Sequence, residues 1–363
     1  MDLARARRWG LALLALHLAW RAVRYALDFP LWGDEAFVAL NLDARDAAGL
    51  FRPLEYGQIA PLGWLWLVDA MREGFGPHAW ALRLPAFLAG CASAVLMFRL
   101  CFRLAPGVGG LLGFAIFAAS YYPMRHGAEL KPYAFDLLLA LLILGAALRA
   151  AEPTRKAQDW WTFGLACWAG VWFSYPSLFV AAAALAMLGG RAMRRRERPA
   201  LAVLATIGLL WGASAAWMLT QFAAPHAAAA SWLNEMAMWT PAFPPLARPW
   251  EWPWWLLKSH AGYMSAYPSG GRDFGSSLTL LLIVSGVGFW RPRARAWTLG
   301  ILLLPLAFNF GAALLGKYPY GGSVRVSIFM APAFCLLAGC GLSILLVRCG
   351  AARRGPQIAC LAL

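Results

Sequence analysis

Residues 31–37 read Leu31-Trp32-Gly33-Asp34-Glu35-Ala36-Phe37 and place two adjacent carboxylates just after the first long apolar run, Trp9–Leu27. An ionised Asp at the centre of a membrane helix costs on the order of 2.5–3.5 kcal/mol on insertion scales. Set just outside the helix, the same acid avoids most of that cost and stays close to anything anchored by a lipid tail. Asp34 and Glu35 are therefore the leading candidates for chemistry. Asp34 is also placed to be the N-cap of a helix starting near Glu35, and the two roles are compatible.

The chain around this motif has a membrane composition. Of 363 residues, 61% are hydrophobic, 13% are charged and 20 are Trp, far from a soluble globular chain. The formal charge of +15 comes from short basic clusters between apolar runs, the pattern of cytoplasmic loops. The membrane thus accounts for the charge and no nucleic-acid partner is needed. Cys91, Cys101, Cys167, Cys335, Cys340, Cys349 and Cys360 lie in apolar runs or basic turns, so neither disulfides nor a zinc site are expected.

A spanning helix needs about 20 mostly apolar residues. Ten segments qualify: Trp9–Leu27, Trp80–Leu104, Val108–Tyr121, Pro132–Ala150, Trp160–Ser174, Pro176–Gly190, Pro199–Thr220, Phe274–Trp290, Trp297–Leu315 and Val324–Val347. An eleventh begins at Gln357 and reads as a span cut short at Leu363, with a C-terminal part missing. The expectation is an all-α, polytopic integral membrane bundle forming one domain over residues 1–363. Its outer loops are residues 28–79, 121–132, 221–273 and 316–324.

Orientation follows from counting. With the N-terminus in the cytoplasm, 19 of the 32 Lys and Arg residues fall on inner loops, all of them short and basic. Only Asp2, Glu152, Asp159 and Glu197 among the 17 acids fall there. Polar function is therefore gathered on the outer, extracytoplasmic face.

Within the first outer loop, Ala36–Leu42 and Pro61–Met71 are amphipathic and are expected along the interface. The second is the short turn from Tyr121 to Tyr133, and the third is rich in Trp and Pro. Converging outer segments would gather carboxylates (Asp34, Glu35, Glu129), cations (Arg125, Lys131, Arg325) and tyrosines (Tyr122, Tyr133, Tyr318, Tyr320). Such a set suits a substrate with a lipid tail and an anionic head. Cations hold a phosphate by charge-assisted hydrogen bonds, and a carboxylate removes a proton from an acceptor hydroxyl. A departing phosphate needs cationic stabilisation and no protonating acid.

Trp32-Gly33-Asp34-Glu35 after the first helix resembles the acidic first-loop motif of GT-C glycosyltransferases. The likeness is to protein O-mannosyltransferase-like and aminoarabinose-transferase-like enzymes, glycosyltransferase family 39 in the broad sense. Gln58-Ile59-Ala60-Pro61-Leu62 is similar to the segment leading into that family's interfacial helix. Arg125-His126-Gly127-Ala128-Glu129-Leu130-Lys131-Pro132-Tyr133 resembles its second-loop signature, and Tyr318-Pro319-Tyr320 followed by Arg325 resembles a later outer-loop motif. The resemblance covers most of Leu11–Pro332. It implies a GT-C-like fold and inverting transfer from a polyprenyl-phosphate-linked sugar to a lipid, glycan or protein acceptor at the periplasmic face of a bacterial inner membrane. It further implies Asp34 as base, with Glu35 and Glu129 orienting the acceptor or supporting Asp34. Lys131 and Arg325 would then lie on the donor phosphate, with Gln58, Arg125, Tyr133, Tyr318 and Tyr320 beside the substrate.

Plainer readings stand beside these. Glu129 and Lys131 could pair across a turn, a contact worth about 0–1 kcal/mol when exposed. Arg325 could anchor a helix end by snorkelling, and His126 could be a turn residue or a metal ligand. No metal is assigned and no cofactor is certain, although Asp34, Glu35 and Glu129 form a set that a divalent cation could take. A transporter or flippase for a lipid-linked sugar, and a non-catalytic membrane assembly subunit, are the alternatives. Transporters favour charges at the bilayer midplane and repeated halves, neither of which is evident here.

Overall fold

The computed structural model describes residues 1–231, 239–289 and 293–350, and these residues form helices and no strand. In order the helices are α1 (Leu3–Ala26), α2 (Gly33–Asp43), α3 (Leu62–Phe75), α4 (Ala79–Leu104), α5 (Val108–Ala119), α6 (Tyr121–His126), α7 (Tyr133–Ala150) and α8 (Ala157–Phe173). There follow α9 (Ser177–Arg194), α10 (Arg198–Trp217), α11 (Ala224–Ala229), α12 (Trp252–Ala261), α13 (Ser277–Phe289), α14 (Arg293–Leu314), α15 (Val324–Ser327) and α16 (Ala331–Arg348).

All ten expected spans coincide with helices. Six stretches are long and apolar enough to cross a membrane: Ala79–Leu104, Tyr133–Ala150, Ser177–Arg194, Arg198–Ala229, Ala296–Leu314 and Val324–Arg348. Val108–Ala119 and Ser277–Gly288 are apolar but shorter, and α1 is long but carries five arginines. The eleventh segment, Cys360 and Trp232 lie outside the described residues.

Three local expectations shift. Residues 121–126 form a helix where a turn is expected, because Pro123 sits near its start, where a missing N–H is tolerated. The span expected to end at Thr220 continues through a π-helical turn, Met218–Ala223, into α11. There the Thr220 hydroxyl donates to the Ala216 carbonyl, a back-bond that accompanies distorted helix geometry. Finally, α2 begins at Gly33 with Trp32 as N-cap. Asp34 is therefore inside the first turn and is not the cap; its carboxylate still favours that end of the helix dipole.

The described chain divides into two compact units, each assembled from segments distant in sequence. Unit 1 contains residues 1–21, 91–125 and 242–363, and unit 2 contains residues 22–90 and 126–241. In unit 2, α7 packs on α8 and α9, and α3 lies against α8. There the Trp172 carbonyl approaches Gly63 so closely that a Cβ would collide with it. The first outer loop is clipped into this core, with Val38, Leu42, Leu50 and Leu65 packed beside Leu130 and Phe222.

Unit 1 is built on close backbone approaches. A Cβ added to Gly339 of α16 would overlap the Gly113 backbone of α5, and one on Gly286 of α13 would overlap the Leu337 carbonyl. Between membrane helices no hydrophobic force acts, so association relies on such small-residue packing. Gly339→Val is expected to separate α5 from α16 and destabilise by about 1–3 kcal/mol, as overpacking does. Thermal unfolding of the detergent-purified chain would show this as a lower Tm.

Candidate active site

Glu35 occupies the third position of α2 and is 0% exposed. Its carboxylate accepts from Arg83 twice, Nε to Oε1 at 2.8 Å and Nη2 to Oε2 at 2.6 Å. It also accepts the Leu130 N–H on Oε1 at 2.6 Å and the Trp32 N–H on Oε2 at 3.2 Å. The capping role thus belongs to Glu35. Arg83, on the first turn of α4, also donates to the carbonyls of Phe29 and Pro30. One buried ion pair therefore joins the end of the first helix, the start of α2, the start of α4 and the segment 126–133.

The consequence for Asp34 is positional. It is half-buried, and its neighbour Glu35 is bonded to the residue that lies between Glu129 and Lys131. Lys131 is buried, and its Nζ donates to Gln58 Oε1 at 2.6 Å. Gln58 follows two left-handed residues, Tyr56 (φ 59°) and Gly57 (φ 64°), which turn the loop so that its amide faces the lysine. Glu129 is buried against His126, with Nδ1 and Oε2 2.7 Å apart, and the His126 ring meets Tyr133 edge-on at 4.9 Å.

Below this group, Asp136 of α7 is buried with the Ser174 hydroxyl as partner, and Tyr175 donates to the Ala60 carbonyl at 3.2 Å. Burial pushes the Tyr175 phenol above its usual range, so it remains a donor. The turn between α8 and α9 is in this way tied to the segment that carries Gln58.

This group lies at the N-terminal end of α7, and the opposite end of α7 is basic. There Arg149 pairs with Asp159 and Arg155 with Glu197. Eighteen residues separate the ends, roughly 27 Å at 1.5 Å per residue, close to a hydrocarbon core. Asp34, Glu35 and Glu129 therefore do not share an end with the arginine-rich turns of unit 2.

The other expected site residues belong to unit 1. Arg125 is on α6, with Nη1 3.5 Å from the Tyr121 hydroxyl. Tyr318 donates to the Val326 carbonyl at 3.1 Å, and Arg325 is half-buried on α15. The buried Tyr320 hydroxyl lies 3.2 Å from His260 Nε2. The Nδ1 of that histidine faces the Leu256 carbonyl at 2.8 Å, so Nε2 is the acceptor. Desolvation raises the Tyr320 phenol and lowers the His260 imidazole, keeping both neutral.

Sequence reasoning missed Arg83 and Asp136. Arg83 carried a signal, since a cation in the first turn of an apolar helix requires a partner. Asp136 carried a similar one. Among the described residues no group of three or more His, Cys, Asp or Glu side chains could hold a metal ion. Both Glu35 oxygens, on which a divalent cation at Asp34, Glu35 and Glu129 would draw, are engaged by Arg83 and backbone N–H groups.

Residues 60–238 match the family described as dolichyl-phosphate-mannose-protein mannosyltransferase. That stretch includes Arg83, Glu129, Lys131 and Tyr133. Among solved structures, ArnT from Cupriavidus metallidurans bound to undecaprenyl phosphate is similar, with a TM-score of 0.56 and 16% identity over 92% of this chain and 60% of that one. By fold, the chain is similar to ArnT. The apo state of the same ArnT gives a TM-score of 0.55 at 15% identity, over 93% of this chain and again 60% of that one. The chain thus spans about three-fifths of the ArnT structures it resembles. No curated relative matches the sequence.

The Glu35–Arg83 pair makes a stability prediction. Truncating one partner of a buried ion pair leaves an uncompensated charge, at a cost of about 3–5 kcal/mol. Arg83→Met should therefore destabilise the chain far more than the double variant Glu35→Gln/Arg83→Met, which removes both charges. Thermal unfolding in detergent, run as a double-mutant cycle, measures the difference.

Proposed function

We propose that the chain is a membrane glycosyltransferase that moves a sugar from a polyprenyl-phosphate donor to an acceptor hydroxyl, with inversion and with Asp34 as general base. The observation that carries this reading is the Glu35–Leu130 contact, which sets the half-buried Asp34 beside the segment bearing Glu129 and Lys131. A base and a cation from distant segments then serve one reaction centre.

In the proposed step the acceptor oxygen attacks the anomeric carbon from the face opposite the phosphate. Its proton passes to Asp34, the new C–O bond forms, and the bond from the anomeric carbon to the phosphate oxygen breaks. The polyprenyl phosphate leaves as an anion, stabilised by Lys131, which Gln58 holds in place. Glu129, oriented by His126, supports the acceptor side together with Tyr133. The GT-C fold and the undecaprenyl phosphate held by ArnT support a lipid-phosphate donor. The separation of the acidic and basic ends of unit 2 supports an extracytoplasmic site with the N-terminus in the cytoplasm.

General-base catalysis contributes about 10²–10⁴-fold, so Asp34→Asn should lower transfer by at least about 100-fold. Lys131→Gln should weaken donor use while leaving the fold intact. Both can be read by incubating membranes with polyprenyl-phosphate sugars and following glycan products by mass spectrometry. Undiminished product from Asp34→Asn membranes would remove Asp34 from the chemistry.

A further inference from the structure

The end of unit 2 opposite the acidic group carries eight cations, Arg149, Arg155, Lys156, Arg191, Arg194, Arg195, Arg196 and Arg198. Only three carboxylates accompany them, Glu152, Asp159 and Glu197, leaving a surplus of five positive charges. Glu197 joins the two turns: it accepts from Arg155 and stands 3.9 Å from Arg195. Arg155 also lies over the Trp160 ring, 5.5 Å from its centroid. Among the described residues no carboxylate lies within ion-pair reach of Arg194, Arg196 or Arg198, and all three are exposed.

The backbone adds a second observation. Helix α9 ends in a Schellman motif, in which Glu197 N–H donates to the Ala192 carbonyl at 3.0 Å and Arg196 N–H to the Met193 carbonyl at 3.1 Å. The residue that must adopt the left-handed conformation there is normally glycine; here it is Arg196, at φ 56°. A side chain with Cβ at such a position is disfavoured relative to glycine. Arginine at that position places a guanidinium at the centre of the basic turn. Positive-inside topology requires basic residues in this loop, but it does not require one in the single position that disfavours any side chain.

We propose that the turns 149–156 and 191–198 form a binding site for the phosphate headgroup of an anionic phospholipid, at the membrane face opposite the acidic site. Exposed guanidinium groups offer bidentate donors matched to phosphate oxygens, and each cation near an anionic surface adds to the attraction. The site lies at the end of membrane-crossing helices, where lipid phosphates are concentrated, which favours a lipid over a free anion. The inference stands apart from the transfer reaction, since it uses none of the residues assigned to it.

The test uses the full chain purified in detergent with neutral phosphatidylcholine and then given phosphatidylglycerol, with thermal unfolding and native mass spectrometry as readouts. A ligand that binds only the folded state raises Tm as its concentration passes Kd. The wild type should gain several degrees and retain phosphatidylglycerol. Arg194→Gln/Arg196→Gly/Arg198→Gln should lose at least half of that shift and the retained lipid. Because Arg196→Gly relieves backbone strain, the variant without added lipid should unfold no earlier than the wild type. An equal shift in wild type and variant, or none in the wild type, overturns the proposal. An equivalent shift with soluble pyrophosphate at the same concentration overturns the choice of lipid.

Discussion

The buried ion pair between Glu35 and Arg83 is the constraint on which the acidic end of unit 2 depends. Two charges removed from solvent are tolerated only when every donor and acceptor is met, and here the carboxylate accepts four N–H bonds. Two of those bonds come from one guanidinium and two from backbone groups almost a hundred residues apart in sequence. The pair therefore acts as a clamp with few alternative geometries. What it holds in place is its neighbour Asp34 together with the turn containing Glu129 and Lys131.

Such a clamp divides labour between two adjacent acids. Glu35, fully enclosed and fully bonded, is suited to holding the backbone. Asp34, half-buried, keeps part of its surface open. The same division recurs around Lys131, where Gln58 supplies orientation, and around Glu129, where His126 does so. Glu35 and Lys131 are held by partners from other segments of the chain, so a small shift of the first loop would disturb several contacts at once.

The apolar surface has a different logic. Leu209 and Leu210 of α10 are 74% and 67% exposed, which would be unfavourable in water and is neutral against lipid tails. Helices in that environment are held together by backbone proximity at glycines such as Gly113, Gly286 and Gly339, and by polar contacts near their ends. The interior is thus tight where helices meet and plain where they face lipid.

Much of this was legible in the residue order. Apolar runs of the right length, basic turns and an acid pair after the first apolar run determine an all-helical membrane chain, because hydropathy and charge act locally along a helix. Asp34, Gln58, Glu129, Lys131 and Tyr133 could be named from their motifs. The two carboxylates at positions 34 and 35 are nevertheless indistinguishable in sequence. Tertiary structure alone decided that Glu35 is enclosed, because its partners Arg83 and the Leu130 N–H lie 48 and 95 residues away. It also decided the two discontinuous units, since packing depends on which helix faces meet and local composition carries no record of that pairing.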